Sequence, residues 1–314
     1  MAQIEERKGV GRAIQIFVLV VITLLYMIPL FYIVNTAFRP WKEIKQYPPK
    51  LLFEPSIGSF IRIFTARSVY APGTEPAEEE LEQMKWYERI VYEETNEAVV
   101  RTGDLPRRYF NSLVICVTST ALTIILGTLA AYAFSRFKVK GKDDILFFIL
   151  STRMLPPVVV VIPVFLMFRK VGLTDSHIGL ILLYTAFNVS FAVWVLKGFI
   201  DEIPTEYEEA AMVDGYSRFE AFRKIVLPQS VTGIAATAVF CFIFAWNEYA
   251  FAFLLTRNTA QTVPAWLPYQ MGVLGYDWGA AAAGTTIFLL PAMVFTILLR
   301  KHLVRGISFG AVRK

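Results

Sequence analysis

The chain has 314 residues, of which 55% are hydrophobic and 18% charged, with a mean hydropathy of +0.50. Average soluble proteins carry about a quarter charged residues, so this composition excludes a soluble globular domain of this length. The formal net charge of +5 and isoelectric point of about 9.1 do not mark a nucleic-acid surface, because no basic helix interleaved with aromatics occurs.

The apolar residues are gathered into runs. A helix rising 1.5 Å per residue needs about 20 apolar residues to cross a bilayer core of about 30 Å. Stretches 14–37, 109–134, 145–168, 177–199, 231–255 and 282–299 meet that length. The expected fold is an all-α integral membrane protein with six transmembrane helices. Pro29, Pro156, Pro157, Pro163 and Pro291 fall inside these stretches, where neighbouring helices can accommodate them.

Residues 1–13 form a basic N-terminus before the first span at 14–37. That span exceeds the usual apolar core of a secretory signal and is not followed by a small-residue cleavage site, so it is expected to stay uncleaved. Residues 38–108 form an external loop broken by Pro48-Pro49, Pro55 and Pro72. Within it, 75–99 is rich in good helix formers and predicts one acidic amphipathic helix. That helix either contacts an external solute-binding protein or packs on the membrane domain.

The remaining five spans occupy 109–302, with a tail at 303–314. The basic hairpin Ser135–Asp144 joins spans two and three. Cys116 and Cys241 fall inside spans and suggest neither a disulfide nor a zinc site. Arg7, Lys8, Arg12, Arg136, Lys138, Lys140, Lys142, Arg218, Arg223, Lys224, Arg300, Lys301, Arg305, Arg313 and Lys314 share one side of this arrangement. Arg169, Lys170 and Arg257 lie in the two short loops of the other. The positive-inside rule therefore predicts cytoplasmic N- and C-termini. His177 and His302, near span ends, read as solvated interface residues.

The polar island 200–229, between spans four and five, predicts two short helices. Pro204 suits a first helical position, and Glu206, Glu208 and Glu209 complement the positive helix end. Gly215 supplies a turn, and Ser217–Glu220 forms a capping box for the second helix. Phe219, Phe222 and Ile225 or Val226 give that helix an apolar stripe, with Pro228 at its end. Such a helix could lie on lipid, pack under its own bundle or enter a groove on a partner. The mixed charge of Arg218, Glu220, Arg223 and Lys224 disfavours lipid. Ala210 and Ala211 permit close approach, and Glu209 offers an acceptor to an Arg of a partner.

Glu209-Ala210-Ala211, three residues, Gly215, nine residues, then Ile225, Val226, Leu227 and Pro228 resembles, position by position, the coupling motif of permeases of binding-protein-dependent ABC importers. Asn111-Ser112, Ala130–Phe137, Trp246-Asn247-Glu248, Tyr276–Gly279 and the tail 304–312 resemble the sugar-permease branch typified by the maltose transporter's smaller membrane subunit. The stretch 65–105 is longer than that branch leads one to expect.

The resemblance implies a permease subunit with a homologous second permease, two ATPase subunits and an external solute-binding protein, surrounded by membrane lipid of the inner membrane. It also implies that this chain is not an enzyme and binds no cofactor, with ATP and Mg on the partner ATPase. The solute would be a sugar or polyol. Polar and ionisable groups inside a membrane are functional candidates, so Arg153, Asn188, Ser190, Asn247 and Glu248 are candidates for the translocation path. Trp194 or Phe191 could stack on a sugar face. Asn188 and Ser190 could equally bond across helices, and Glu248 could serve a salt bridge or helix contact. A secondary transporter driven by an ion gradient is the rival reading. It calls for midplane coupling groups in inverted repeats, and no repeat is evident.

Overall fold

The computed structural model describes residues 2–48, 50, 53–71, 73–272 and 275–307. Pro49, Pro72 and the tail beyond 307, with Arg313 and Lys314, lie outside the described residues. The chain divides into two compact units, one of residues 1–105 and 269–287, the other of 106–268 and 288–314.

The first unit begins with α1 (Ala2–Ala37), whose most apolar 18-residue window has no buried residue. Next come α2 (Trp41–Ile44), α3 (Gly58–Phe64), β1 (Thr65–Val69), α4 (Glu78–Gln83), α5 (Trp86–Thr95) and β2 (Glu97–Thr102). Strands β1 and β2 pair antiparallel, Thr65 opposite Thr102, with an irregularity between Ala66 and Arg67. The single helix expected over 75–99 is therefore corrected to two helices and the start of a strand. Met84 and Lys85 adopt extended backbone between α4 and α5. Asn96, at φ 56°, ends α5, and the β-branched Val99 and Thr102 suit the strand that follows.

Near this unit's buried centre, Arg62 bonds Asp277 at 3.0 Å and also pairs with Glu94. Arg67 reaches Asp277 at 3.0 Å and pairs with Glu97. Asp277 also accepts the backbone N–H of Ala280 at 2.9 Å. These buried charges satisfy one another, as burial requires.

The second unit holds α6 (Leu105–Arg136, entering at Pro106), α7 (Lys142–Ser151), α8 (Pro157–Lys170), α9 (His177–Asp201), α10 (Glu206–Val213), α11 (Arg218–Ala221), α12 (Leu227–Gln229), α13 (Val231–Trp246), α14 (Ala250–Leu255) and α15 (Val263–Trp266). The strand pair β3 (Met271–Gly272) and β4 (Gly275–Tyr276) belongs to the first unit, and α16 (Trp278–Ile307) runs from the first into the second. Helices α6 and α9 approach closely at Gly127, where a Cβ would fall 2.7 Å from the Ala192 Cβ. Small residues permit such contacts between membrane helices. Trp246 stacks on Phe288 at 4.6 Å and donates its indole N–H to the Phe288 carbonyl at 3.0 Å.

Among the described residues, four helices are long and apolar enough to span a membrane: Gly11–Ala37, Leu105–Arg136, His177–Asp201 and Trp278–Leu299. Two bent pairs raise the number to as many as six. The span expected over 145–168 breaks by 95° between Lys142–Met154 and Pro157–Lys170. Leu155, before Pro156, is held extended (φ −69°, ψ 123°), because a following proline disfavours the helical region. The span expected over 231–255 stops at Trp246. There the Glu248 carboxylate accepts the backbone N–H groups of Phe251 at 2.8 Å and Ala252 at 3.1 Å, starting α14 anew.

Candidate functional site

The 200–229 loop is built as two helices around a glycine turn. Gly215 sits at φ +93°, a conformation open to glycine and strained for β-branched residues. The Ser217 hydroxyl accepts the Glu220 N–H at 3.3 Å, and the Glu220 carboxylate accepts the Ser217 N–H at 2.8 Å. This is the capping box expected from the sequence.

The loop is fastened to the end of α6 by Glu208. Its carboxylate accepts the Tyr132 hydroxyl at 2.7 Å and pairs with the Arg136 guanidinium, which also donates to the Ile203 carbonyl at 2.8 Å. Arg136 and Glu208 side chains are both 6% exposed. In the sequence Glu208 reads as a helix-end charge, and Arg136 as a topology signal within the Ala130–Phe137 stretch. An arginine and a tyrosine closing an apolar span were the available sign of a polar partner.

The apolar stripe is corrected. Phe222 is 5% exposed and lies 4.6 Å from the Tyr132 ring, in a cluster with Leu196, Ile200, Ile203, Val226 and Cys241. Phe219 is 66% exposed. Ile225 and Leu227 are half-buried, and Pro228 is exposed. A π-helical turn over Phe222–Val226 changes the register beyond Phe222, so that Val226, and not Ile225, is buried with it. Phe222 and Val226 therefore anchor the loop to its own bundle. Tyr207, Val213 and Phe219 remain uncovered, together with Glu209 and Ala210, while Ala211 is buried.

The candidate path residues divide. Arg153 lies at the break between α7 and α8, its guanidinium 5.2 Å from the Phe191 ring and 4.6 Å from the Phe244 ring. Beside it the Thr152 and Ser190 hydroxyls are 3.2 Å apart. Asn188 is buried and donates to the Cys241 carbonyl at 3.4 Å, which joins α9 to α13. Asn247 donates to the Ile243 carbonyl of its own helix. Glu248 accepts the Tyr184 hydroxyl at 2.8 Å besides capping α14, a helix contact of the kind weighed from the sequence.

At the other end of α9 the chain is stitched by polar groups. Asp175, at φ 51°, accepts backbone N–H groups of Arg257, Asn258, Thr259 and Ala260 at 3.0–3.3 Å. Burial alone would raise its pKa, but these four bonds together hold it below the usual carboxylate range. Asn111 donates to the carbonyls of Thr259 and Gln261, and its Oδ1 lies 2.8 Å from His177 Nε2. His177 thus has a protein partner and is not simply solvated.

Residues 123–309 match the family described as binding-protein-dependent transport system inner membrane component. The chain is 28% identical over 293 residues to the probable ABC transporter permease protein y4oR of Sinorhizobium fredii, covering 93% of this chain and 92% of that one. It is 33% identical over 231 residues to the trehalose/maltose transport system permease protein MalG of Thermococcus litoralis, covering 71% of this chain and 83% of that one. Its fold resembles a crystal structure of a bacterial ABC transporter involved in import of the acidic polysaccharide alginate. There the TM-score is 0.66 at 18% identity, over 93% of this chain and 96% of the other.

Proposed function

The chain belongs to the family of inner membrane components of binding-protein-dependent transport systems, and from that premise we propose that it forms the translocation path for a sugar or polyol and couples it to a separate ATPase. It is a multi-pass inner-membrane permease subunit of an ABC importer. The similarity to a trehalose/maltose permease supports a saccharide. The comparisons give no support to an ion-gradient transporter.

In this reading the termini and the 200–229 loop face the cytoplasm, supported by the clustering of Lys and Arg. Two ATPase subunits bind ATP and Mg, and a second, homologous permease completes the membrane domain. The uncovered apolar length of α1 is consistent with lipid and that second permease around it. An external solute-binding protein delivers the solute.

The observation that carries the proposal is the fastening of the loop. Glu208 joins α10 to α6 through buried contacts, while Tyr207, Val213 and Phe219 stay exposed on the loop. A partner gripping those exposed groups would move the end of α6 with them. The test is reconstitution of the complex with and without the ATPase, measuring ATP hydrolysis stimulated by the solute-loaded binding protein. Cysteines at Lys140 and in 75–99 check orientation: an impermeant thiol reagent should label only the latter in intact cells. Hydrolysis indifferent to the loaded binding protein would overturn the coupling role, and labelling at Lys140 would overturn the orientation.

A further inference from the structure

We propose that Arg153 is a recognition point for an anionic group on the transported solute, so that the cargo is an acidic saccharide carrying a carboxylate, sulfonate or phosphate. This deepens the permease reading and rests on it.

Arg153 lies deep along the span. The Thr152 hydroxyl meets that of Ser190, thirteen residues from His177 at one end of α9 and eleven from Asp201 at the other. At 1.5 Å per residue those are about 20 Å and about 16 Å, which puts the break near the middle of α9. A cation at such depth is expensive and is normally paired. Among the described residues the Arg153 guanidinium makes no ion pair and no hydrogen bond, and its Nη1 is buried. The faces of Phe191 and Phe244 lie against it. Cation–π contact favours the charge but leaves the N–H donors free.

Phe191 also lines a groove of about 760 Å³ together with Leu150, Trp194, Phe240 and Ala236. Aromatic faces of this kind suit the apolar faces of sugar rings. Toward the Asp201 end of the groove, Lys197 pairs with Asp201, so that its charge is compensated. Arg153 does not itself line this groove, which Asp201 and Glu202 also line, but lies against the Phe191 ring without an ion pair among the described residues. Its planar fork of donors matches an oxyanion in bidentate fashion.

The test uses the whole importer in nanodiscs of phosphatidylcholine, which carries no net charge, so that anionic lipid cannot occupy the site. Sodium glucuronate and glucose are titrated separately and followed by saturation-transfer NMR, on wild type, Arg153→Lys and Arg153→Gln. Glucuronate should bind the wild type at least tenfold tighter than glucose. Arg153→Lys should keep part of that preference, and Arg153→Gln should bring the glucuronate affinity down to that of glucose. A merely structural role would move both sugars together. Equal affinities in the wild type, no saturable glucuronate binding, or equal loss of both sugars in Arg153→Gln would each overturn the proposal. Dissociation of the second permease in Arg153→Gln, with no glucuronate preference in the wild type, would also overturn it and assign the charge to a subunit contact. Failure of the permease reading shows elsewhere, as ATP hydrolysis unresponsive to the loaded binding protein.

Discussion

Arg136 and Glu208 are 72 residues apart in the chain, yet their side chains form an ion pair almost wholly removed from solvent. The pair closes the end of α6 onto the first helix of the 200–229 loop. Tyr132, one turn earlier on α6, donates to the same carboxylate. Three polar groups thus make one rigid joint where apolar packing alone would allow sliding.

Breaking this joint on one side leaves an uncompensated buried charge, which costs about 3–5 kcal/mol. Glu208→Gln should therefore lower the melting temperature of the purified complex more than Glu208→Gln combined with Arg136→Met. A double-mutant cycle should give a coupling of about 1–3 kcal/mol. Additive effects would mean that the two side chains do not act together.

Gly215 has no heavy atom within 4 Å of where a Cβ would stand, so a substitution there is penalised by backbone conformation and not by a clash. Gly215→Val should cost about 1–3 kcal/mol locally and re-aim α11. The complex should still assemble but lose stimulated ATP hydrolysis. Gly215→Asn, which tolerates positive φ, should keep most of it. Equal loss in both variants would assign the effect to the side chain.

Phe219 and Phe222 separate docking from folding. Phe222→Ala empties a packed site against Tyr132 and should destabilise the protein by about 3–5 kcal/mol. Phe219→Ala removes an exposed ring and should leave stability within about 0.5 kcal/mol. It should weaken association with the ATPase about tenfold, or about 1.4 kcal/mol. Melting curves and co-purification yields measure the two effects. Normal ATPase association in Phe219→Ala would exclude that ring from the docking surface.

Local punctuation made much of this loop legible in the sequence. Gly215 and the Ser217–Glu220 box act within a few residues of themselves, and the structure keeps both, whereas Pro204 lies ahead of α10, which starts at Glu206 after the cap Thr205. The inward face of Phe222 was not legible, because its partners Tyr132, Leu196 and Ile200 come from α6 and α9, and the π-turn that buries Val226 with it has no signature in residue type. The break of the third span could be read from Pro156-Pro157, but its 95° angle depends on what packs around it. Arg136 and Tyr132 at the end of an apolar span signalled a polar partner, but that this partner is Glu208, 72 residues later, is a tertiary contact that local sequence does not name. In the 75–99 stretch, helix-forming composition hid the strand at Glu97, whose pairing with β1 is a tertiary contact.

Asp175 gives a pH dependence with a definite sign. Its carboxylate accepts the backbone N–H groups of Arg257–Ala260, which hold its folded pKa below the ordinary carboxylate value of about 3.9. A depressed folded pKa means that the charged form binds its surroundings more favourably in the folded state. The contribution is therefore fully present above about pH 4 and lost as pH falls through the folded pKa. Asp175→Asn removes the charge while keeping a residue that tolerates φ 51°, so backbone strain does not confuse the comparison. Wild type should melt above Asp175→Asn by a constant margin from pH 5 to pH 8, and the margin should shrink as the pH is lowered below about 4. Thermal melts of the purified complex across that range read it directly. A margin unchanged at pH 3 would show that the carboxylate charge is not what holds the 256–260 segment to the start of α9.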